Sequence, residues 1–186
     1  MAKLIYSAIA SLDGYVEDAG GAFEWAAPDE QVHMFVNDLE RYVGTYLYGR
    51  RMYETMRYWE TEGASPGGSP VARDYAGIWR AAEKIVYSRT LESVSTAQTR
   101  LEREFDADAV RRLKEASPSD LTIGGAELAG QAIAAGLVDE IQLLLNPILV
   151  GGGKPALPQD VRVSLELVDE RRFAGGVVFL RYAVVG

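Results

Sequence analysis

Three short stretches of this 186-residue chain combine glycine with groups that bind anions. Tyr48-Gly49-Arg50-Arg51 sets a residue without a side chain beside two guanidinium forks. Tyr87-Ser88-Arg89 places a hydroxyl and a guanidinium at the end of an apolar run, and Ile123-Gly124-Gly125-Ala126-Glu127-Leu128 passes from an apolar run through two glycines into a helical pattern. Glycine lets an anion reach bare backbone N–H groups, and arginine meets phosphate with a fixed fork of donors that keeps its charge. Each stretch alone is a weak signal, since the dinucleotide fingerprint G-x-G-x-x-G is absent. Together, in one short chain, they point to a phosphate-rich ligand.

Other chemistries are narrowed by what is missing. The chain has no cysteine, which removes disulfides, thiolate nucleophiles and cysteine-held zinc or iron–sulfur clusters. Its single histidine, His33, rules out a His–His metal pair and lies within a helical pattern, so no metal site is expected. Gly151-Gly152-Gly153-Lys154 is a tight turn and not a phosphate-binding P-loop, because no helix opens on the lysine. Net charge is −8, which argues against nucleic acid or an anionic membrane as partner and leaves a small-molecule substrate. No apolar run approaches the ~20 residues of a membrane span. Met1 to Tyr6 runs straight into a strand with no signal-peptide layout, so a cytoplasmic location is expected.

The elements that must position these residues follow from periodicity. Lys3–Ala10 is a short apolar run ending in the turn Ser11-Leu12-Asp13-Gly14. Pro28-Asp29-Glu30 opens a helix carrying Val32, Phe35, Val36, Leu39 and Val43, for which Gly44 is the expected stop. Thr45–Tyr48 is a strand, followed by a short helix through Tyr58. Residues 60–70 are a glycine-, serine- and proline-rich loop. Val71, Tyr75, Ile78 and Trp79 share one face of the next helix, and Lys84–Ser88 is a strand. The mixed-sign run Arg100–Asp108 reads as a solvated connection, and Asp106 caps a helix carrying Val110 and Leu113. Leu121–Ile123 is a strand, the helix after it ends at Gly136, Ile141–Leu145 is an apolar strand interrupted only by Gln142, and Val161–Val168 with Val177–Val185 form a terminal hairpin. Hydrophobic content of 48% is enough for a buried core, and the length suits one domain over residues 1–186. Strands alternating with helices predict an α/β fold: three layers, a mostly parallel central sheet flanked by helices, and a C-terminal antiparallel hairpin. The apolar Ile141–Leu145 strand and the hairpin are expected to extend a sheet across a homodimer.

In order and spacing the chain resembles the dihydrofolate reductase superfamily, especially the reductase domain of the bacterial riboflavin-biosynthesis deaminase/reductase. The matching stretches are Ser11-Leu12-Asp13-Gly14-Tyr15, Tyr48 to Glu54, Lys84 to Thr90, Ile123 to Leu128 and Gly136 to Ile141, followed by Pro147 and the Gly151–Gly153 turn. The resemblance implies NADPH as cofactor and hydride transfer to a C=N-type bond of a pyrimidine-like substrate. The family default substrate is 5-amino-6-(5-phosphoribosylamino)uracil. Ala8 and Ile9 would line the nicotinamide end, with Asp13 to Val16 closing over it. Gly49, Arg50 and Arg51 would hold the pyrophosphate, Tyr87, Ser88 and Arg89 the adenosine 2′-phosphate, and Gly124, Gly125, Ala126, Glu127 and Leu128 the central phosphates and ribose. Glu30, with Asp13, is the carboxyl implied for proton delivery, while Trp25 and Asp29 would wall the substrate; Asp29 and Glu30 equally suit a helix dipole.

Three departures bear on substrate. Met52 and Leu144 stand where dihydrofolate reductases carry threonine, and Ile123 stands where riboflavin-type reductases carry glutamate. Two alternatives therefore stay open: dihydrofolate reduction, and an NADPH-binding module without turnover.

Overall fold

The computed structural model describes residues 1–61, 63 and 65–186. The chain runs β1 (Leu4–Ser11), β2 (Tyr15–Asp18), a 3-10 turn (Glu24–Ala26), α1 (Glu30–Glu40), β3 (Val43–Gly49), α2 (Arg50–Met56), a second 3-10 turn (Arg57–Glu60), α3 (Pro70–Ala81), β4 (Glu83–Tyr87) and β5 (Thr99–Glu102). It continues through α4 (Ala107–Ala116), β6 (Asp120–Gly124), α5 (Ala126–Ala134), β7 (Glu140–Asn146), β8 (Gly153–Pro155), β9 (Ser164–Arg172) and β10 (Val178–Val185). The loop expected at 60–70 includes Glu62 and Ala64, which lie outside the described residues.

Eight strands form one sheet in the order β5-β4-β3-β6-β1-β7-β10-β9. The first six run parallel, and β10 and β9 add the antiparallel hairpin at one edge. This is the expected three-layer α/β architecture. Alternation along each strand divides the core between two faces. Leu47, Ile85, Leu121 and Ile123 face α4 and α5, packing on Val110, Leu128, Ala129, Ala132 and Ile133. Tyr46, Tyr48 and Val86 face α2 and α3, against Tyr53, Tyr75 and Trp79. Leu144, Phe179 and Ile9 lie under α1, against Val32 and Phe35. Trp79 is fully buried, and its indole N–H donates to the Tyr48 hydroxyl at 3.1 Å.

Four expectations change. First, α1 stops at Glu40, and Val43 and Gly44 belong to β3, where Val43 packs with Tyr46 and Tyr48. Second, the run from residue 99 is not a solvated connection: Thr99–Glu102 pairs in parallel with β4, half-burying Thr99 and Leu101 and leaving Arg100 and Glu102 in water, the alternation of an edge strand. Third, residues 15–18 and 153–155 pair as a separate two-stranded ribbon, β2–β8. Their pairing spans some 140 residues of sequence and leaves no local pattern. Fourth, β7 is enclosed between β1 and β10, so Ile141–Leu145 has no free edge with which to extend a sheet. Only β9 of the terminal hairpin lies at an edge.

Candidate functional site

Because β1, β3, β4, β6 and β7 are parallel, their carboxyl ends share one rim of the sheet. Tyr48 lies in register with Gly124, and Gly49 with Tyr87, so the three anion-binding stretches meet there. The helices that follow the two neighbouring strands leave in opposite directions: α2 packs on the Tyr46–Tyr48 face and α5 on the Leu47–Ile123 face. A crevice opens where such helices part, and this is the place where open α/β sheets take ligands.

The capping chemistry sets these two helices apart. Asp29 Oδ1 accepts from the Val32 amide at 2.8 Å, Ser69 Oγ from the Ala72 amide at 3.2 Å, and Asp106 Oδ1 from the Asp108 amide at 2.9 Å, so α1, α3 and α4 are closed by their own side chains. The caps of α2 and α5 are Gly49 and Gly125, with no side-chain cap. Their first-turn N–H groups are turned to the rim with nothing from the cap residue to satisfy them. Gly125 has φ of +97°, which L side chains rarely adopt, and a methyl there would stand 3.6 Å from Met52 Cβ and 3.8 Å from the Gly49 nitrogen. At Gly124 a methyl would meet the Tyr48 ring at 3.0 Å and Met52 Cγ at 3.1 Å. The backbones of the two junctions are thus held close and bare, a cradle that side chains would fill.

Charge surrounds the cradle. The Arg51 guanidinium lies 3.5 Å from Glu17 of β2, and Lys154 of β8 lies 4.0 Å from Glu17 and 2.8 Å from Glu127. Lys154, first by hydrogen bond and then by charge, holds the Glu127 carboxyl below its usual range. An open pocket of about 840 Å³ is lined by Glu17, Arg51, Ala126, Glu127 and Lys154 among others. Arg50 reaches the Thr90 hydroxyl at 3.5 Å, and Arg89 pairs with Glu104 at 3.0 Å. The Ser88 hydroxyl oxygen accepts from the Thr90 and Leu91 amides at 3.3 and 3.0 Å, folding a tight turn at the end of β4. Tyr87 beside it is pushed up to about 12 by burial, so it stays a neutral phenol.

Two basic residues at this rim were missed in the sequence. Arg103 follows β5 and donates to the carbonyl oxygens of Ser88 and Leu91 at 3.3 and 2.5 Å, clamping the Ser88 turn. Its signal was the alternation of residues 99–102. The sequence places Lys154 in a turn, and no pattern within that stretch shows which residues it will meet.

The remaining expected residues are distributed as follows. Ala8 and Ile9 point to opposite faces of β1, Ala8 toward the α4–α5 core and Ile9 toward α1. Val16 lies on β2, half-buried. The Trp25 indole N–H donates to the Ala22 carbonyl at 3.2 Å. Asp29 is the cap of α1, so its carboxylate is already engaged, while Glu30 is exposed in the first turn. His33 packs on Trp59 and Tyr75 at 5.7 Å each, and burial lowers its pKa. Asp13 has a different occupation from the expected proton transfer. Its two carboxylate oxygens accept from the amides of Val150 and Gly151 at 3.2 and 2.8 Å, tying the β1–β2 turn to the loop after β7. The Ser11 hydroxyl, then these amides, hold it below the usual carboxylate range, which suits an acceptor and not a proton donor at neutral pH. Met52 and Leu144 pack into the cores on the α2 and α1 sides, and Ile123 is buried toward α5.

A model of the RibD C-terminal domain family matches residues 2–179. The chain is 28% identical over 182 residues to the uncharacterized protein YyaP of Bacillus subtilis (strain 168), spanning 97% of this chain and 94% of that one. Its fold is similar to that of a putative riboflavin biosynthesis protein from Shewanella sp. PV-4, with TM-score 0.76, 22% identity and full coverage of both chains. It is also similar to a pyrimidine reductase-like protein from Corynebacterium diphtheriae, with TM-score 0.69 and 14% identity over 100% of this chain and 92% of the other. A third similar structure is a diaminohydroxyphosphoribosylaminopyrimidine deaminase/5-amino-6-(5-phosphoribosylamino)uracil reductase from Thermotoga maritima, with TM-score 0.68 and 14% identity; it matches 99% of this chain but 57% of that one.

Proposed function

The chain belongs to the RibD C-terminal domain family, and on that footing we propose that it is an NADPH-dependent reductase of the cytoplasm that acts on a C=N-type bond of a pyrimidine-like compound. The observation that carries the reading is the paired glycine cradle, where Gly125 lies against the Gly49 amide between two helices that have no side-chain caps. Bound there, NADPH would supply the hydride. The chain's part is to hold and orient. Backbone amides at 50–51 and 126–128 would take the diphosphate, with Arg51 adding charge. Arg50, Arg89 and the Arg103-braced Ser88 turn would receive the 2′-phosphate, and Ala8 and Val16 would shape the nicotinamide end. The β2–β8 ribbon would screen the reacting carbon from water. Of the two carboxyls implied for proton delivery, Glu30 is the one not engaged by backbone amides.

Titration with NADPH, followed by the fluorescence of the three tryptophans, tests the cofactor. A saturable response, weaker with NADH, is expected; no response at moderate salt overturns the reading. NADPH oxidation is then measured with aminopyrimidine and pteridine substrates, and 5-amino-6-(5-phosphoribosylamino)uracil is the first of them. Apolar packing of Met52 and Leu144 at positions expected to be polar favours a second reading, a cofactor-binding module without turnover. It predicts binding without oxidation of NADPH across that panel. Dihydrofolate reduction, resting on Glu30, is tested in the same assay.

The homodimer is proposed through β9 alone. This edge strand is exposed along its whole length, with Leu165, Leu167 and Val168 39%, 48% and 50% exposed. A Leu167→Glu variant should sediment as a 20.3 kDa monomer where the parent forms a pair. A parent that is already monomeric removes the dimer.

A further inference from the structure

Glu17 stands between two cations that it serves poorly. Its carboxylate lies 3.5 Å from Arg51 and 4.0 Å from Lys154. Charge-assisted N–H···O bonds close to about 2.7–2.9 Å when geometry allows. Both distances are to the same oxygen, Oε1, so the carboxylate sits between Arg51 of α2 and its cross-strand neighbour Lys154 of β8 without closing on either. The Glu17 and Lys154 side chains are largely buried, at 24% and 23% exposure, so these two are no fluctuating surface pair, whereas Arg51 reaches in from solvent at 70% exposure. The other acids nearby have partners: Glu127 is bound by Lys154, and Asp18 Oδ1 accepts from the amides of Gly20 and Ala22 at 2.8 and 2.9 Å.

The mounting of Glu17 suits displacement. β2 and β8 form a ribbon of four and three residues outside the main sheet. A ribbon of this size is marginal unless packed or tied. Its ties leave the Glu17 side chain free: the Ala156 amide donates to the Gly14 carbonyl at 2.8 Å, the Tyr6 hydroxyl to the Ala156 carbonyl at 2.5 Å, the Asp18 amide to the Ala22 carbonyl at 2.9 Å, and the Asp13 clasp lies beyond. Gly153 lets the strands touch there, since a methyl at that position would sit 2.0 Å from the Glu17 carbonyl oxygen. The ribbon's backbone is fixed at both ends, and none of these ties uses the Glu17 side chain, which can turn without breaking them.

We propose that Glu17 is an internal placeholder for the cofactor's diphosphate, and that Lys154 is the second cation of the diphosphate clamp, joining Arg51 once Glu17 is displaced. The inference rests on the NADPH reading above. A diphosphate carries more charge and more acceptor oxygens than a carboxylate and is long enough to touch both walls of the pocket. While the pocket is empty Glu17 offsets the charge of Arg51 and of Lys154, whose ammonium is shared with Glu127, and it weakens binding by competing for them.

The signs of two substitutions distinguish this from a simple structural clasp. NADPH dissociation constants are measured by tryptophan fluorescence for the parent, Glu17→Gln, Lys154→Gln and Lys154→Arg, with thermal unfolding recorded for each to show that it is folded. Glu17→Gln should bind about fivefold tighter, the scale of one partly exposed ion pair removed from competition. Lys154→Gln should bind about tenfold weaker, and Lys154→Arg should restore most of that loss. If Glu17 and Lys154 only brace the ribbon, both glutamine variants loosen binding together. NADPH binding by the parent with Glu17→Gln unchanged or weaker overturns the placeholder. No binding by the parent overturns the cofactor reading itself.

Discussion

Glu40, in the last turn of α1, is 7% exposed, and its Oε2 has no hydrogen-bond partner among the described residues. It lies among the phenols of Tyr46, Tyr48 and Tyr75, on the face of the sheet that carries β3 to Gly49. Burial pushes its carboxyl up to about 7, with the Tyr46 hydroxyl opposing. In the unfolded chain the same carboxyl titrates at its ordinary value of 4.5. The folded state therefore binds the extra proton between those two values, and stability falls as pH rises through that window. Below the window Glu40 contributes nothing to the pH dependence; above it the loss is complete and flat. The difference of about 2.5 pH units corresponds to roughly 3 kcal/mol. Glu40→Gln keeps the shape and cannot ionise, so the two proteins should be close in stability near pH 4.5 and diverge as pH rises. By pH 8 the variant should be the more stable by roughly 3 kcal/mol, a shift of roughly 6–12 °C for a chain of this size. Urea unfolding followed by tryptophan fluorescence at intervals from pH 4.5 to 8.5 reads this directly, because every other titrating group is common to both proteins. Parallel curves for parent and variant would refute the reasoning, showing that Glu40 is solvated or paired in solution.

Gly125→Ala forces a side chain onto a φ of +97° and into the Gly49–Met52 contact, so it should lower stability by about 1–3 kcal/mol and abolish NADPH binding. Calorimetry and the fluorescence titration check the two effects, and an alanine variant that binds normally removes the cradle. Arg103→Met frees the Ser88 turn and should raise the dissociation constant for NADPH about tenfold while sparing NADH, since only the former carries a 2′-phosphate. Equal losses for both cofactors would place Arg103 in a purely structural role. Asp13→Asn weakens the acceptors for Val150 and Gly151, so these amides should exchange hydrogen faster with the main sheet unchanged. In the parent the same loosening should appear as pH falls through the lowered pKa of Asp13, because the clasp needs the ionised carboxylate. An Asp13→Asn variant with unchanged exchange at both amides would dismiss the clasp.

The amino-acid order by itself settled the parts of this protein that are local. Apolar runs ending in glycine marked β3 and β6, Asp29 and Asp106 announced their helices, and strand–helix alternation was enough for the parallel sheet. The glycine and arginine junctions were legible because a chain leaving a parallel strand into a helix shows its bare amides at a known place, whatever the rest does. Tertiary structure decided what depends on distant partners. β2 meets β8 across some 140 residues, so Glu17 and Lys154 become neighbours with no trace in either stretch. The mixed-charge run at 99–102 became a strand because β4 offered it an open edge, and that brought Arg103 to Ser88. Asp13 is an acid in a turn until the loop after β7 arrives with two amides to bind it. Strand order put β7 inside and β9 at the edge, which sequence patterning cannot tell apart when both are apolar enough to pair. Periodicity and capping act over a few residues, whereas register and charge pairing are fixed only when the packed core holds remote segments together.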